Sequence, residues 1–286
     1  MDHRRPTLCV LDASSYVGLW VTKGLINRGY PVHAAVQKTG NPEIEKTIRE
    51  MGKVENGLVV FPADIMDYQS ILVALKGCSG LFCCMDTPHV YDEKMVDLEV
   101  RGTINVVEAC ARTDTVDKIV FTSSLTAAVW RENILSEKDV DERCWSDKEF
   151  CRKMKLWYPL AKTLSEQAAW ALAMDRRLNM VSINAGLVLG PAVAEENSVS
   201  TISYLKVVDV KFLVDVHIRA MEDSSTGGRY FCFDQIVNSE DETIKLANTL
   251  RPLISIPPRY EGQGREGFAE RLRSRRLHKL IEGAAS

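Results

Sequence analysis

The sequence predicts an α/β protein built on a doubly wound parallel sheet. Three observations carry that prediction. Short, β-branched apolar runs recur over the first two thirds of the chain with little polar alternation, which is how strands buried on both faces read. Segments of helical periodicity lie between them. The first strand, turn, helix and second strand also fit within about thirty residues, the size of one βαβ unit.

The elements follow in order. Thr7–Leu11 (TLCVL) is the first strand, and the small residues Asp12 to Ser15 turn into a helix over Val17–Arg28, ended by Gly29-Tyr30. Pro31–Val36 is the second strand. Helix Glu43–Met51 leads to strand Leu58–Phe61, helix Ile71–Leu75 to strand Gly80–Cys84, and the long helix Asp92–Ala111 to strand Lys118–Thr122. Helix Pro159–Asp175 precedes strand Asn179–Ile183. This alternation predicts a Rossmann-type fold. From about Gly190 it weakens, and Pro, Gly and Ser become frequent. The expected division is a dinucleotide-binding domain over residues 1–189 and a small C-terminal substrate lobe over 190–286, interleaved with it. Glu266–Ile281 reads as a basic terminal helix carrying Arg271, Arg273, Arg275, Arg276 and Lys279, expected to be solvated and not to bind nucleic acid.

Composition narrows the function classes. The chain has 286 residues and a net charge of −3, which gives no broad attraction to nucleic acid or an anionic membrane. Its apolar runs are too short to span a bilayer. The polar start, Met1 to Pro6, lacks signal-peptide architecture, so a cytoplasmic location is expected. The eight cysteines form no C-x-x-C pair, and the five histidines are scattered. Reduced, mostly buried thiols and no metal site are expected.

In a βαβ unit the first turn and helix N-terminus accept a pyrophosphate through backbone N–H groups and the helix dipole. Here the turn reads D-A-S-S-Y-V-G over 12–18, and Gly18 is its one glycine. Ser14, Ser15, Tyr16 and Val17 are the candidate phosphate contacts. A carboxylate at Asp12, about 5 Å from a phosphate, would repel it by about 3 kcal/mol at an effective dielectric near 20, so it must turn away, pair or weaken binding. The second strand ends in Gln37 and Lys38 with no acid. That leans toward NADP(H), with NAD(H) still open. Asp64, next to Ile65 after the third strand, is a candidate acceptor for the adenine amino group or else a turn or N-cap residue.

Tyr158 and Lys162 have the spacing Y-x-x-x-K, which places both on one helix face. Pro159 between them suits a first turn. A phenol with pKa of about 10 transfers protons poorly at neutral pH unless a cation favours its ionised form, and Lys162 is that cation. It is also placed to hold the nicotinamide ribose. Ser124, closing the T-S-S run after the strand Lys118–Thr122, would hydrogen-bond a substrate carbonyl. Each motif alone also occurs by chance. Their order, spacing and βαβ context together mark Ser124, Tyr158 and Lys162 as the catalytic candidates.

Several segments resemble a known family. They are G-L-I-N-R-G-Y-P-V-H-A at 24–34, R-G-T-I-N-V-V-E-A-C at 101–110, I-V-F-T-S-S at 119–124, D-E-R-C-W-S-D at 141–147, Y-P-L-A-K-T-L-S-E-Q-A-A-W at 158–170 and V-D-V-K-F-L-V-D-V-H at 208–217. The chain resembles the extended short-chain dehydrogenases/reductases, in particular the plant cinnamoyl-CoA reductase and dihydroflavonol reductase group, from about residue 7 to 260. The resemblance implies NADP(H)-dependent reduction of a carbonyl or acyl-CoA thioester of phenylpropanoid type, with Ser124, Tyr158 and Lys162 as the trio. It also implies that Asn105 joins a network behind the site, or else caps or packs. The chain departs from the family pattern where Asp12 and Ser15 replace the first two glycines of G-x-x-G-x-x-G and where Gln37 replaces an arginine. C-C-M-D-T-P stands at 83–88, and Asn184-Ala185 replaces Asn-Pro. Seventeen residues separate Gly190-Pro191 from Asp209, a shortened stretch for this group. These departures leave a second reading beside the reductase, a weak or inactive nucleotide-binding regulatory protein on the same fold. A sugar-nucleotide epimerase is a third, opposed by the D-E-x-C-W-S-D block.

Overall fold

The β-branched runs and the helical segments between them form the expected layers. A computed structural model describes residues 5–37, 42–54, 57–85, 91–132, 139–191, 206–236 and 272–282. Its elements are β1 (Leu8–Leu11), α1 (Tyr16–Asn27), β2 (Val32–Gln37), α2 (Pro42–Val54), β3 (Leu58–Ala63), α3 (Tyr68–Leu75), β4 (Gly80–Cys83), α4 (Glu93–Ala111), β5 (Lys118–Ser124), α5 (Thr126–Val129), α6 (Lys148–Lys153), α7 (Trp157–Asp175), β6 (Asn179–Ala185), β7 (Leu187–Leu189), β8 (Lys206–Asp209), α8 (Val210–Glu222), β9 (Gly228–Cys232), β10 (Gln235–Ile236) and α9 (Leu277–Glu282).

Seven strands form one sheet in the order β3-β2-β1-β4-β5-β6-β9, with every pair parallel. The chain runs outward from β1 to β3, then returns to β4 on β1's other side. The carboxyl ends of β1 and β4 therefore border the crevice where such sheets take their ligands. Alternate strand residues feed opposite faces. Val10 and Phe82 pack with Leu19, Leu25 and Val214 under α1 and α8, while Leu11 and Leu81 pack with Val107 and Ala169 under α4 and α7.

Beyond Gly190 the chain returns to this sheet. β9 pairs with β6 from Val181↔Gly228 to Ala185↔Cys232, and α8 packs against α1. Thus α8 and β9, although they lie beyond Gly190, belong to the main sheet and its helical layer. A small sheet, β10-β8-β7, lies alongside. Residues 192–205 and 237–271, which hold most of the expected lobe, lie outside the described residues.

The terminal helix is shorter than expected. Leu272 bridges to Val140, and the Arg273 N–H donates to the Val140 carbonyl at 2.9 Å, so these residues are extended and the helix starts at Leu277. Residues 266–271 lie outside the described residues. Arg276 is exposed and lies against the surface, donating to the Gly227 carbonyl at 2.6 Å and covering the Tyr230 ring at 4.8 Å. Among the described residues no helix is long and apolar enough to cross a membrane, and no three potential metal ligands gather. All eight cysteines are thiols, seven of them buried.

Candidate active site

The turn after β1 keeps a glycine-like path without its glycine. Asp12 has φ 60°, in the left-handed region that aspartate tolerates better than most side chains. Its buried carboxylate accepts the Ser14 hydroxyl at 2.9 Å, so it is hydrogen-bonded within the turn. Ser14 Oγ in turn accepts the Gln37 N–H at 3.1 Å. Ser15 is the N-cap of α1: its Oγ accepts from the Gly18 N–H at 3.0 Å and lies 2.8 and 2.9 Å from the carbonyls of Asp12 and Cys84. Both serine hydroxyls are thus engaged inside the protein. The donors that remain for an anion are the N–H groups of Tyr16 and Val17, the first residues of α1, which no carbonyl of the helix reaches. A Cβ on Gly18 would sit 2.1 Å from the Asp12 carbonyl oxygen, so only glycine lets α1 approach the turn this closely. The Tyr16 hydroxyl turns away and donates to the Pro191 carbonyl at 3.1 Å.

The remaining cofactor candidates border the same edge of the sheet. Gln37 closes β2, and Lys38 lies outside the described residues. Asp64 is exposed just past β3, where its carboxylate accepts the Met66 N–H at 2.8 Å as a turn residue does. The N-cap of α3 is Asp67. Ile65 is buried against Gly102 of α4, and Asn105 Nδ2 donates to the Ile65 carbonyl at 2.9 Å. Asn105 thus ties α4 to the loop after β3.

Helix α7 brings Tyr158 and Lys162 together, with Lys162 Nζ 5.4 Å from the centre of the Tyr158 ring. Ser124 ends β5. Its Oγ accepts from the Thr126 N–H at 3.2 Å and the Thr126 hydroxyl at 3.0 Å, which fills its acceptor capacity and leaves its own O–H to be given away. Lys162 is buried and donates to the Met85 carbonyl at 3.2 Å. Sequence reasoning missed its other partner. Glu99 of α4, 1% exposed, places Oε1 3.1 Å from Lys162 Nζ. The Tyr91 hydroxyl donates to the second oxygen of Glu99, and the Tyr91 ring meets Tyr158 edge-on at 4.9 Å. The signal for Glu99 was legible, because it falls on the buried face of α4 with Val96, Gly102, Thr103 and Val106.

A second buried carboxylate lies on α7 itself. Glu166, one turn beyond Lys162, is fully buried and accepts from Ser123 at 2.8 Å, from Asn184 at 2.7 Å and from Ser182. Arg229 of β9 pairs with it at 2.8 Å and also donates to the Glu142 and Cys144 carbonyls while stacking 3.7 Å above the Trp145 ring. The 141–147 segment is held in place by these contacts. Within it Ser146 Oγ accepts from the Trp130 N–H and donates to the Thr126 carbonyl, and Asp147 caps α6. The Arg143 guanidinium beside Asp141 holds that carboxyl below its usual range.

The crevice at the reversal of strand order, the N–H groups of the first turn of α1 and the close approach at Gly18 fit a dinucleotide. Fold and site together define a Rossmann-type protein with Ser124 at the end of β5 and the Tyr158–Lys162 pair on α7. The chain belongs to the 3-beta hydroxysteroid dehydrogenase/isomerase family, whose pattern matches residues 9–182, within the extended short-chain dehydrogenases/reductases. It is 33% identical to cinnamoyl-CoA reductase 1 of Petunia hybrida over 87% of this chain and 79% of that protein. It is also 33% identical to the bifunctional dihydroflavonol 4-reductase/flavanone 4-reductase of Malus domestica, over 92% of this chain and 81% of the relative. Its fold is similar to the crystal structure of Gre2 in complex with NADPH from Candida albicans, with a TM-score of 0.74 at 18% identity over 97% of this chain and 93% of that one.

Proposed function

We propose that the chain is an NADP(H)-dependent reductase of a small aromatic carbonyl or acyl-CoA thioester, of the phenylpropanoid or flavonoid kind. The observation that carries this is the Tyr158–Lys162 pair, held 5.4 Å apart on the first turns of α7. NADPH, when bound, supplies the hydride. The Tyr16 and Val17 N–H groups would hold its pyrophosphate, and Lys162 its nicotinamide ribose. Gln37, Lys38, Asp64 and Ile65 would border the adenosine end. Ser124 donates its hydroxyl hydrogen to the substrate carbonyl oxygen and orients it. Tyr158 gives the proton that this oxygen takes up, and Lys162 steadies the phenolate left behind. The reductases of cinnamoyl-CoA and dihydroflavonols among the relatives support the substrate class.

One specific observation favours the second reading, a weakly binding regulatory protein: the buried Asp12 carboxylate beside the phosphate-binding turn. Calorimetric titration with NADPH and NADH separates the two. Micromolar NADPH binding, with NADPH consumption on adding cinnamoyl-CoA or a dihydroflavonol, is the expected result. Tyr158→Phe then lowers kcat by about 10²-fold or more and leaves NADPH binding intact. No binding of either nucleotide, or full activity in Tyr158→Phe, would sink the reductase reading.

A further inference from the structure

The hydroxyl of Ser124 is set by a residue two positions further on. Thr126 is buried at the start of α5. Its N–H and its hydroxyl both donate to Ser124 Oγ, at 3.2 and 3.0 Å. A serine oxygen has two lone pairs, so both are taken, and the serine hydrogen is directed away from Thr126. A hydroxyl that receives a hydrogen bond also gives one more strongly, because successive bonds polarise one another. We propose that Thr126 is a positioning residue that acts through Ser124: its hydroxyl fixes the direction of the serine hydrogen and strengthens the bond that Ser124 gives to a carbonyl oxygen. This rests on the reductase reading, in which Ser124 is that donor.

The surroundings hold both residues still. The Thr126 carbonyl accepts the Ser146 hydroxyl at 2.7 Å, and the Ser146 N–H donates to the Ala127 carbonyl at 2.8 Å. The D-E-R-C-W-S-D segment, tied down by Arg229, thus reaches Ser124 through Thr126. On the other side Asn184 Nδ2 donates to the Ser124 carbonyl at 3.2 Å, and the Leu125 N–H to the Ala185 carbonyl at 2.9 Å. These bonds fix the serine's backbone against β6, while the two Thr126 donors act on its side chain. Negative charge gathers on the substrate oxygen as the hydride arrives. A stronger donor is therefore felt more in the transition state than in the bound substrate, and its loss is read in kcat more than in KM.

The test is steady-state reduction of cinnamoyl-CoA or a dihydroflavonol by NADPH, with NADPH affinity taken from calorimetry. Thr126→Val keeps the branched shape and the N–H and removes the hydroxyl. It lowers kcat about five- to tenfold and leaves KM and NADPH affinity within about twofold of the parent. Thr126→Ser returns the hydroxyl and recovers most of the loss. In a Ser124→Ala background Thr126→Val costs nothing further, because Thr126 acts through the serine. Thr126→Ala removes the same hydroxyl from a position that alanine suits, so it carries the test where the valine variant fails to fold. In an active parent, the proposal is overturned by full kcat in a folded valine or alanine variant, by a loss confined to KM, or by an equal loss in the Ser124→Ala background. A parent that consumes no NADPH with either substrate overturns the reductase reading and this inference with it.

Discussion

Removing the charge of Arg229 tests whether the 141–147 segment is held by an ion pair or by packing. Arg229→Met keeps a side chain of similar reach over Trp145, so the ring stays covered. It strands Glu166, which is fully buried, without its cation, and deprives the Glu142 and Cys144 carbonyls of a donor. Breaking one side of a buried pair costs about 3–5 kcal/mol. The Ser123, Ser182 and Asn184 donors still reach the carboxylate and soften the loss, so a value of about 4 kcal/mol is expected. That is a large fraction of the roughly 5–15 kcal/mol that holds a domain folded. The assay is urea unfolding of the parent, Arg229→Met, and Arg229→Met combined with Glu166→Gln. Because the second change removes the stranded charge, the double variant should regain about half of the loss. A loss below about 1 kcal/mol in the single variant, or a double variant no more stable than the single, would refute the claim that charge pairing fixes the 141–147 segment.

Two further perturbations address the fold and the cofactor turn. His217 is neutral in the folded protein: Nδ1–H donates to the Leu213 carbonyl, Nε2 lies 2.8 Å from the Thr122 hydroxyl, and burial lowers its pKa to about 4. Between that value and about 6.5 the unfolded chain binds a proton that the folded one does not, so stability falls as pH drops through this window, by up to about 3 kcal/mol. His217→Gln should flatten the pH dependence of the urea midpoint between about pH 6.5 and 4, and an unchanged slope would show that His217 is not its source. Asp12→Gly suits the φ of 60° and removes the carboxylate from the turn. NADPH should bind about 10- to 100-fold tighter by calorimetry, from a repulsion of at most about 3 kcal/mol, and an affinity within twofold of the parent would show that Asp12 does not oppose the cofactor.

The six-strand alternation was legible because buried parallel strands and amphipathic helices leave different periods in the sequence. Boundaries moved where tertiary pairing outweighed composition. The strand expected to end at Thr122 runs to Ser124, because Ser123 and Ser124 pair with Asn184 and Ala185 of β6. β9 was hidden because Gly228–Cys232 is short and follows a polar turn, and only the open edge of β6 gives it a partner. In the site, the Tyr158–Lys162 pair followed from spacing alone, since i and i+4 meet on a helix. The serines of the first turn were legible as small residues, but not as inward-facing ones. Their partners, Asp12 and the Cys84 carbonyl, include a group 69 residues away that no local pattern reveals. Glu166 reads in the sequence as one more helical acid, and only Arg229, on the strand left unread, shows why it is buried.

The contacts of Arg276 and the bridge at Leu272 bear on how the chain is handled at the bench. Leu277 and Leu280 of α9 are core residues, packed in the same cluster as Val214 and Tyr230, and Arg276 N–H also reaches the Glu142 carboxylate. Trimming the chain ahead of Leu272 would uncover two leucines' worth of core, each about 1.5–3 kcal/mol of burial, and loosen the segment that Arg229 clamps. An affinity tag at the N-terminal end is therefore the safer choice, and a shortened protein that fails to turn over substrate would say more about the clamp than about the proposed roles of Ser124, Tyr158 and Lys162.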